Sequence, residues 1–111
     1  SSDTITPSTV AARFKQLFTD IRVQLPNVPI AFVSLKPCPS RWKMKDRMIA
    51  TNLLIKKYLK KKKHTTFISV WKSMLGPDGK PIPEIFIEDN LHMNAKGYAI
   101  WQQLIEPHLL K

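Results

Sequence analysis

Cysteine is almost absent: Cys38 is the only one in 111 residues. No internal disulfide can form, and neither a zinc framework nor a Cys-x-x-Cys redox pair is available. Histidine is nearly as sparse, and His64, His92 and His108 stand too far apart in sequence to suggest a metal site. No metal or other cofactor is expected. No apolar run approaches the roughly 18 residues of a membrane-spanning helix, so a soluble globular chain without a transmembrane segment is the default. The first residues, Ser1-Ser2-Asp3-Thr4, lack the basic-then-apolar pattern of a signal peptide. Acidic residues are scarce too, with 8 Asp and Glu against 18 Lys and Arg and a net charge of +10. Such a balance attracts phosphate or anionic surfaces when the cations share a face. Six lysines fall between Lys56 and Lys63, so the excess is local.

The length suits one domain with one core, residues 1–111. Thr6-Pro7 reads as an N-cap followed by proline in the first turn. Val10, Phe14, Leu17, Phe18, Ile21 and Leu25 then form one helical stripe that Pro26-Asn27 ends. Pro29 to Leu35 is a short apolar run, the pattern of a parallel strand buried on both faces. Lys36-Pro37-Cys38-Pro39-Ser40 is a stiff loop, with Cys38 a small loop residue and Ser40 placed to cap a helix from about Trp42 to Lys62. Met44, Met48, Thr51, Ile55 and Leu59 give that helix its buried face, widened by Ile49 and Leu53. Thr65 to Val70 is β-branched enough for a second strand, and strand, helix, strand implies a parallel crossover. A long loop holding Gly76-Pro77-Asp78-Gly79 leads to a last helix from about Asn94 to Leu110. The expected class is α/β, with two short strands and three helices. Two short parallel strands are not a stable sheet by themselves, so further strands are expected from a second fragment, a swapped copy or a lost segment.

In open parallel sheets, sites form beyond the carboxyl ends of the strands. Ser34 to Arg41, Val70 to Met74 and Glu88 to Met93 reach that end. Asp89 and His92 fall there, spaced so that a carboxylate can hold the Nδ1 of an imidazole while Nε2 faces a nucleophile. Acids and histidines at loop-to-helix junctions also serve as caps and turn residues, and the spacing alone leaves both roles open.

The block Asp89-Asn90-Leu91-His92-Met93-Asn94, with Gly97-Tyr98 and Trp101 after it, resembles the last conserved block of the SGNH hydrolases, the GDSL-type lipases and esterases. Ala31 to Pro37, Ser40-Arg41-Trp42 and the preceding helix resemble the segment after the third block in a bacterial branch of that family. The resemblance implies the C-terminal portion of an SGNH-type, flavodoxin-like three-layer domain, from the bacterial cytoplasm or periplasm. It makes His92 the catalytic base, Asp89 its orienting acid, and the reaction ester hydrolysis through an acyl-enzyme on a serine. The family's Gly-Asp-Ser nucleophile and its glycine and asparagine oxyanion donors have no counterpart: the glycines are Gly76, Gly79 and Gly97, and none precedes Asp-Ser. The expected partners are therefore the missing N-terminal half of the domain and an ester substrate.

Among resident serines, Ser34, Ser40 and Ser73 suit strand-end and capping roles, since none sits on a strand-to-helix elbow. Arg41, Trp71 and Met93 are candidates to line a substrate pocket, against roles as a helix start and as core. The lysine run is either a solvated helix end complementing the macrodipole or a patch for a polyanion, with His64 after it as a helix cap. Only Tyr58 interrupts the lysines with an aromatic ring, so nucleic acid is not the expected partner. Beside the enzyme stand two alternatives: a small basic polyanion-binding module, and a non-catalytic fragment docked on a partner.

Overall fold

A computed structural model describes residues 6–109. The N-terminal residues read above for a leader pattern, and Leu110 at the end of the last expected helix, lie outside the described residues. The three helices and two strands are α1 (Pro7–Gln24), β1 (Ile30–Val33), α2 (Lys45–Lys60), β2 (Thr65–Ile68) and α3 (Ala95–Leu109). β1 and β2 pair in parallel as a two-stranded sheet, so the chain is mixed α/β. The parallel register is fixed where Ile30 N–H donates to His64 O and Ser34 N–H donates to Ile68 O. The chain divides into two compact units, residues 1–32 with 46–67, and residues 33–45 with 68–111.

In the first unit, Thr6 adopts an extended conformation and its hydroxyl accepts the Thr9 N–H at 3.2 Å, so α1 starts where an N-cap and proline predict. Ala11 and Phe18 of α1 and Ile55 and Leu59 of α2 are the buried centre, joined by Phe14, Ile30, Phe32, Tyr58 and Phe67. This core is largely aromatic: Phe14 meets Phe32 edge-on at 4.9 Å and Phe18 meets Tyr58 edge-on at 5.6 Å. Arg22 fastens the ends of the elements. Its guanidinium donates to the carbonyls of Leu25, Val28, Lys63 and His64, at 2.6–3.1 Å, and lies over the Phe18 ring. One cation thereby satisfies four carbonyls at the ends of the elements, of which that of His64 also accepts the Ile30 N–H.

Four expectations change here. β1 is not buried on both faces: Ile30, Phe32 and Val33 are half-buried and Ala31 is exposed. The physical reason is the width of the sheet, since β1 pairs through one edge only and no third strand joins it among the described residues. Ile49 and Leu53 do not widen the buried face of α2. They sit on its outer side, and Leu53 is 55% exposed. Leu17 leaves the buried stripe of α1 in the same way, 56% exposed. His64 does not cap α2 with its side chain; it adopts φ 59°, a left-handed turn residue that brings the chain into β2.

In the second unit, Cys38, Val70, Met74, Ile85, Phe86 and Met93 form the buried centre, with Val33, Ile82, Leu91, Ile100, Trp101 and Leu104 packed around it. The expected single helix from Trp42 onward is replaced by a 3-10 segment, Pro39–Met44, ahead of α2. Arg41 breaks the helical geometry with φ −118° and ψ 16°. Ser40 therefore caps nothing, and its N–H donates instead to Asn90 O at 3.1 Å. Cys38 lies in the loop before this segment, and its side chain is buried in the core. The long loop is organised by two more 3-10 turns, Lys72–Met74 and Pro83–Ile85, and by a bridge between Leu75 and Pro81.

Candidate functional site

The site is built on one tight loop of the second unit. Phe86 and Met93 form an antiparallel bridge, Ile87 N–H donates to His92 O at 2.9 Å, and Asn90 N–H donates to Ile87 O at 2.9 Å. Closing so short a loop puts Asn90 at φ 56°, a conformation that asparagine tolerates better than most residues. Directly after the bridge, Asn94 starts α3. Its Oδ1 accepts the N–H groups of Lys96 and Gly97, at 2.9 and 3.2 Å, while its Nδ2 donates to Glu84 O at 2.8 Å. One side chain thus caps the helix and ties it to the segment before the loop. Gly97 is required by packing, because a Cβ there would stand 2.7 Å from Ile85 O and 2.8 Å from Met93 Cβ.

Asp89 uses both carboxylate oxygens. Oδ1 accepts the N–H groups of Leu91 and His92, each at 2.9 Å, and Oδ2 lies 2.5 Å from His92 Nδ1. The donation from the imidazole, followed by those of the His92 and Leu91 amides, lowers the Asp89 carboxyl from 3.8 to about 2. The carboxylate is consequently charged at neutral pH and holds the proton of His92 on Nδ1. Nε2 is left as the acceptor, on a side chain that is 68% exposed. Chemically, an imidazole held in this way can accept a proton at Nε2 from a group on its open face.

Ser34, at the end of β1, is 3% exposed; its Oγ accepts Val70 N–H at 3.0 Å and donates to Leu35 O at 3.2 Å. It joins two strand ends, as its position suggested. Ser40 and Ser73 are exposed. Of the candidate pocket residues, Met93 is buried in the core below the loop. Trp71 is half-buried and stacks on Trp42, with ring centroids 6.1 Å apart, while Lys45 Nζ lies 5.3 Å from the Trp42 centroid. Arg41 is half-buried, one residue after the Ser40–Asn90 contact that ties the proline loop to the Asp89 loop. The structure thus joins Asp89 to His92, and the backbone around Arg41 to that loop.

Two features were missed in the sequence: the Arg22 clamp and the Trp42–Trp71 stack. Both link residues nearly thirty or more positions apart, and no periodic pattern signals such a pairing. Among the described residues, no group of three or more His, Cys, Asp or Glu could hold a metal ion, and no helix is long and apolar enough to cross a membrane. No family model matches the chain, and no curated protein matches it either.

Proposed function

We propose that this chain supplies the acid–base half of an SGNH-type serine ester hydrolase. The observation that carries this reading is the Asp89–His92 pair, with Nδ1 held at 2.5 Å by a carboxylate that two backbone amides anchor. In the reaction, Nε2 of His92 takes the proton of a serine hydroxyl as that oxygen attacks the ester carbonyl, then returns it to the departing alkoxide. Water repeats the sequence on the acyl-enzyme, again through Nε2. Asp89 keeps the imidazole in the required tautomer and stabilises its cationic form.

The nucleophile and the oxyanion donors come from a complementing polypeptide in this proposal, since no Gly-Asp-Ser is present. Support comes from β1, half-buried and paired on one edge, which leaves room for a further parallel strand. The test is hydrolysis of chromogenic short-chain esters by the chain alone and together with the polypeptide encoded upstream of Ser1. Activity is expected only in the second case, with His92→Ala lowering it roughly 1,000-fold or more. Absence of activity in the complete protein, or an active His92→Ala variant, rejects the reading.

A further inference from the structure

We propose that the outer face of α2, with the lysines that follow it, is a docking surface for an anionic lipid bilayer. The inference stands apart from the hydrolase reading and rests on the first unit alone.

A turn of 100° per residue puts Ile49, Leu53, Lys56, Lys57 and Lys60 within about 100° of arc on α2, away from the buried Thr51, Ile55 and Leu59. The outer face therefore carries two aliphatic side chains at its middle and a set of ammonium groups toward its C-terminal end. All six lysines from Lys56 to Lys63 are exposed, as are Ile49 and Leu53. Asp46, one turn before Ile49, lies on the same arc, and no further acid follows until Asp78, so the lysines at the C-terminal end stand in a stretch free of acids. On the other side of α2, facing α1, Lys15 Nζ lies 5.3 Å and Lys62 Nζ 4.9 Å from the centroid of the Tyr58 ring.

The composition of the patch selects its partner. Lysine is a hydrated point charge on a long stem, suited to diffuse attraction by a charged plane, whereas planar recognition of individual phosphates favours arginine. A single-stranded nucleic acid needs open aromatic faces for its bases, and the Tyr58 ring is already engaged by two ammonium groups. Exposed Ile49 and Leu53 find no complement on a phosphate backbone. At a bilayer surface they enter the acyl boundary while the lysines meet anionic headgroups.

The test is co-sedimentation of the full chain with vesicles of phosphatidylcholine alone and with vesicles containing roughly one-third phosphatidylserine. Binding is expected to the second kind only. The double variant Lys57→Gln/Lys60→Gln should weaken it roughly 25-fold, since each lysine near an anionic surface contributes roughly fivefold. Leu53→Ser should weaken it several-fold, and circular dichroism should show all variants folded as the parent, since only exposed side chains change. Equal binding to both vesicle types, no binding to either, or anionic binding that both folded variants retain would overturn the proposal. So would tighter binding to DNA or RNA that Leu53→Ser leaves intact, which assigns the patch to nucleic acid. A concentration-dependent dimer abolished by Leu53→Ser overturns it as well, because the aliphatic face is then occupied by a second copy.

Discussion

The two units of this chain solve the same problem by opposite means. The first has ten lysines and arginines against three aspartates, regular helices and a core in which four phenylalanines and a tyrosine pack with Ala11, Ile30, Ile55 and Leu59. Its order comes from repetition: apolar side chains recur at helical spacing and meet as rings. The second has eight cations against five acids, three 3-10 turns and a core of mainly aliphatic and sulfur-bearing side chains around Phe86 and Trp101. Its order comes from single polar contacts, each made once. Asp89, Asn94 and Ser34 all spend side-chain oxygens on backbone amides that have no helix or strand partner. A fold held by repetition tolerates an exposed Leu17 or Leu53, whereas a loop held by unique bonds can set two reactive groups at one distance.

If that contrast is right, the units respond differently to damage. Phe18→Ala should cost about 4 kcal/mol, because a buried ring that touches Phe14 and Tyr58 leaves a cavity rather than a polar vacancy. Hydrogen exchange should then report lost protection in α1 and α2 before α3. Equal loss in α3 would show that the units unfold together and would end the comparison. Gly97→Ala should cost about 2 kcal/mol, since the new methyl meets a backbone carbonyl and the Met93 stem, and a thermal melt should show the drop. An unchanged melting temperature would mean that the Asn94–Gly97 turn yields freely.

Arg22→Met is expected to cost about 1.5 kcal/mol, less than the four bonds suggest, because the freed carbonyls are near water and can be hydrated. Denaturant titration measures it, and a loss within error would reduce the clamp to decoration. The smallest expected effect concerns acid. The folded Asp89 carboxyl is lowered to about 2 from 3.8, so its charged form favours the folded loop above the higher value. That contribution is complete at neutral pH and is lost as pH falls from about 3.8 through about 2. A carboxyl-carbon titration by NMR with its midpoint near 3.8 would remove the proposed hold of Asp89 on His92.

How much was legible varies by unit. α1 was readable at its start and close to its end, because Thr6-Pro7 and Pro26-Asn27 act through local backbone geometry that no distant contact overrides. The sequence pattern starts a helix near Trp42, whereas the break at Arg41 leaves residues 39–44 as a 3-10 segment and α2 begins at Lys45, with Ser40 N–H tied to Asn90 O fifty residues away. For the candidate site, the spacing of Asp89 and His92 allowed a meeting, and their type defined its chemistry. It did not establish that both Asp89 oxygens are engaged, nor that Asn90 takes a left-handed turn to close the loop.

By itself, then, the sequence determined the three helices and two strands, the apolar stripes, the local charge and the spacing of Asp89 and His92, since all of these depend on neighbours within a few residues. The tertiary structure alone decided which stripes are covered and which stay open, and that Gly97 must be glycine. It also fixed the direction in which His92 presents Nε2. Each of those depends on atoms brought together by the fold, and burial and hydrogen-bond geometry have no counterpart in spacing along the chain.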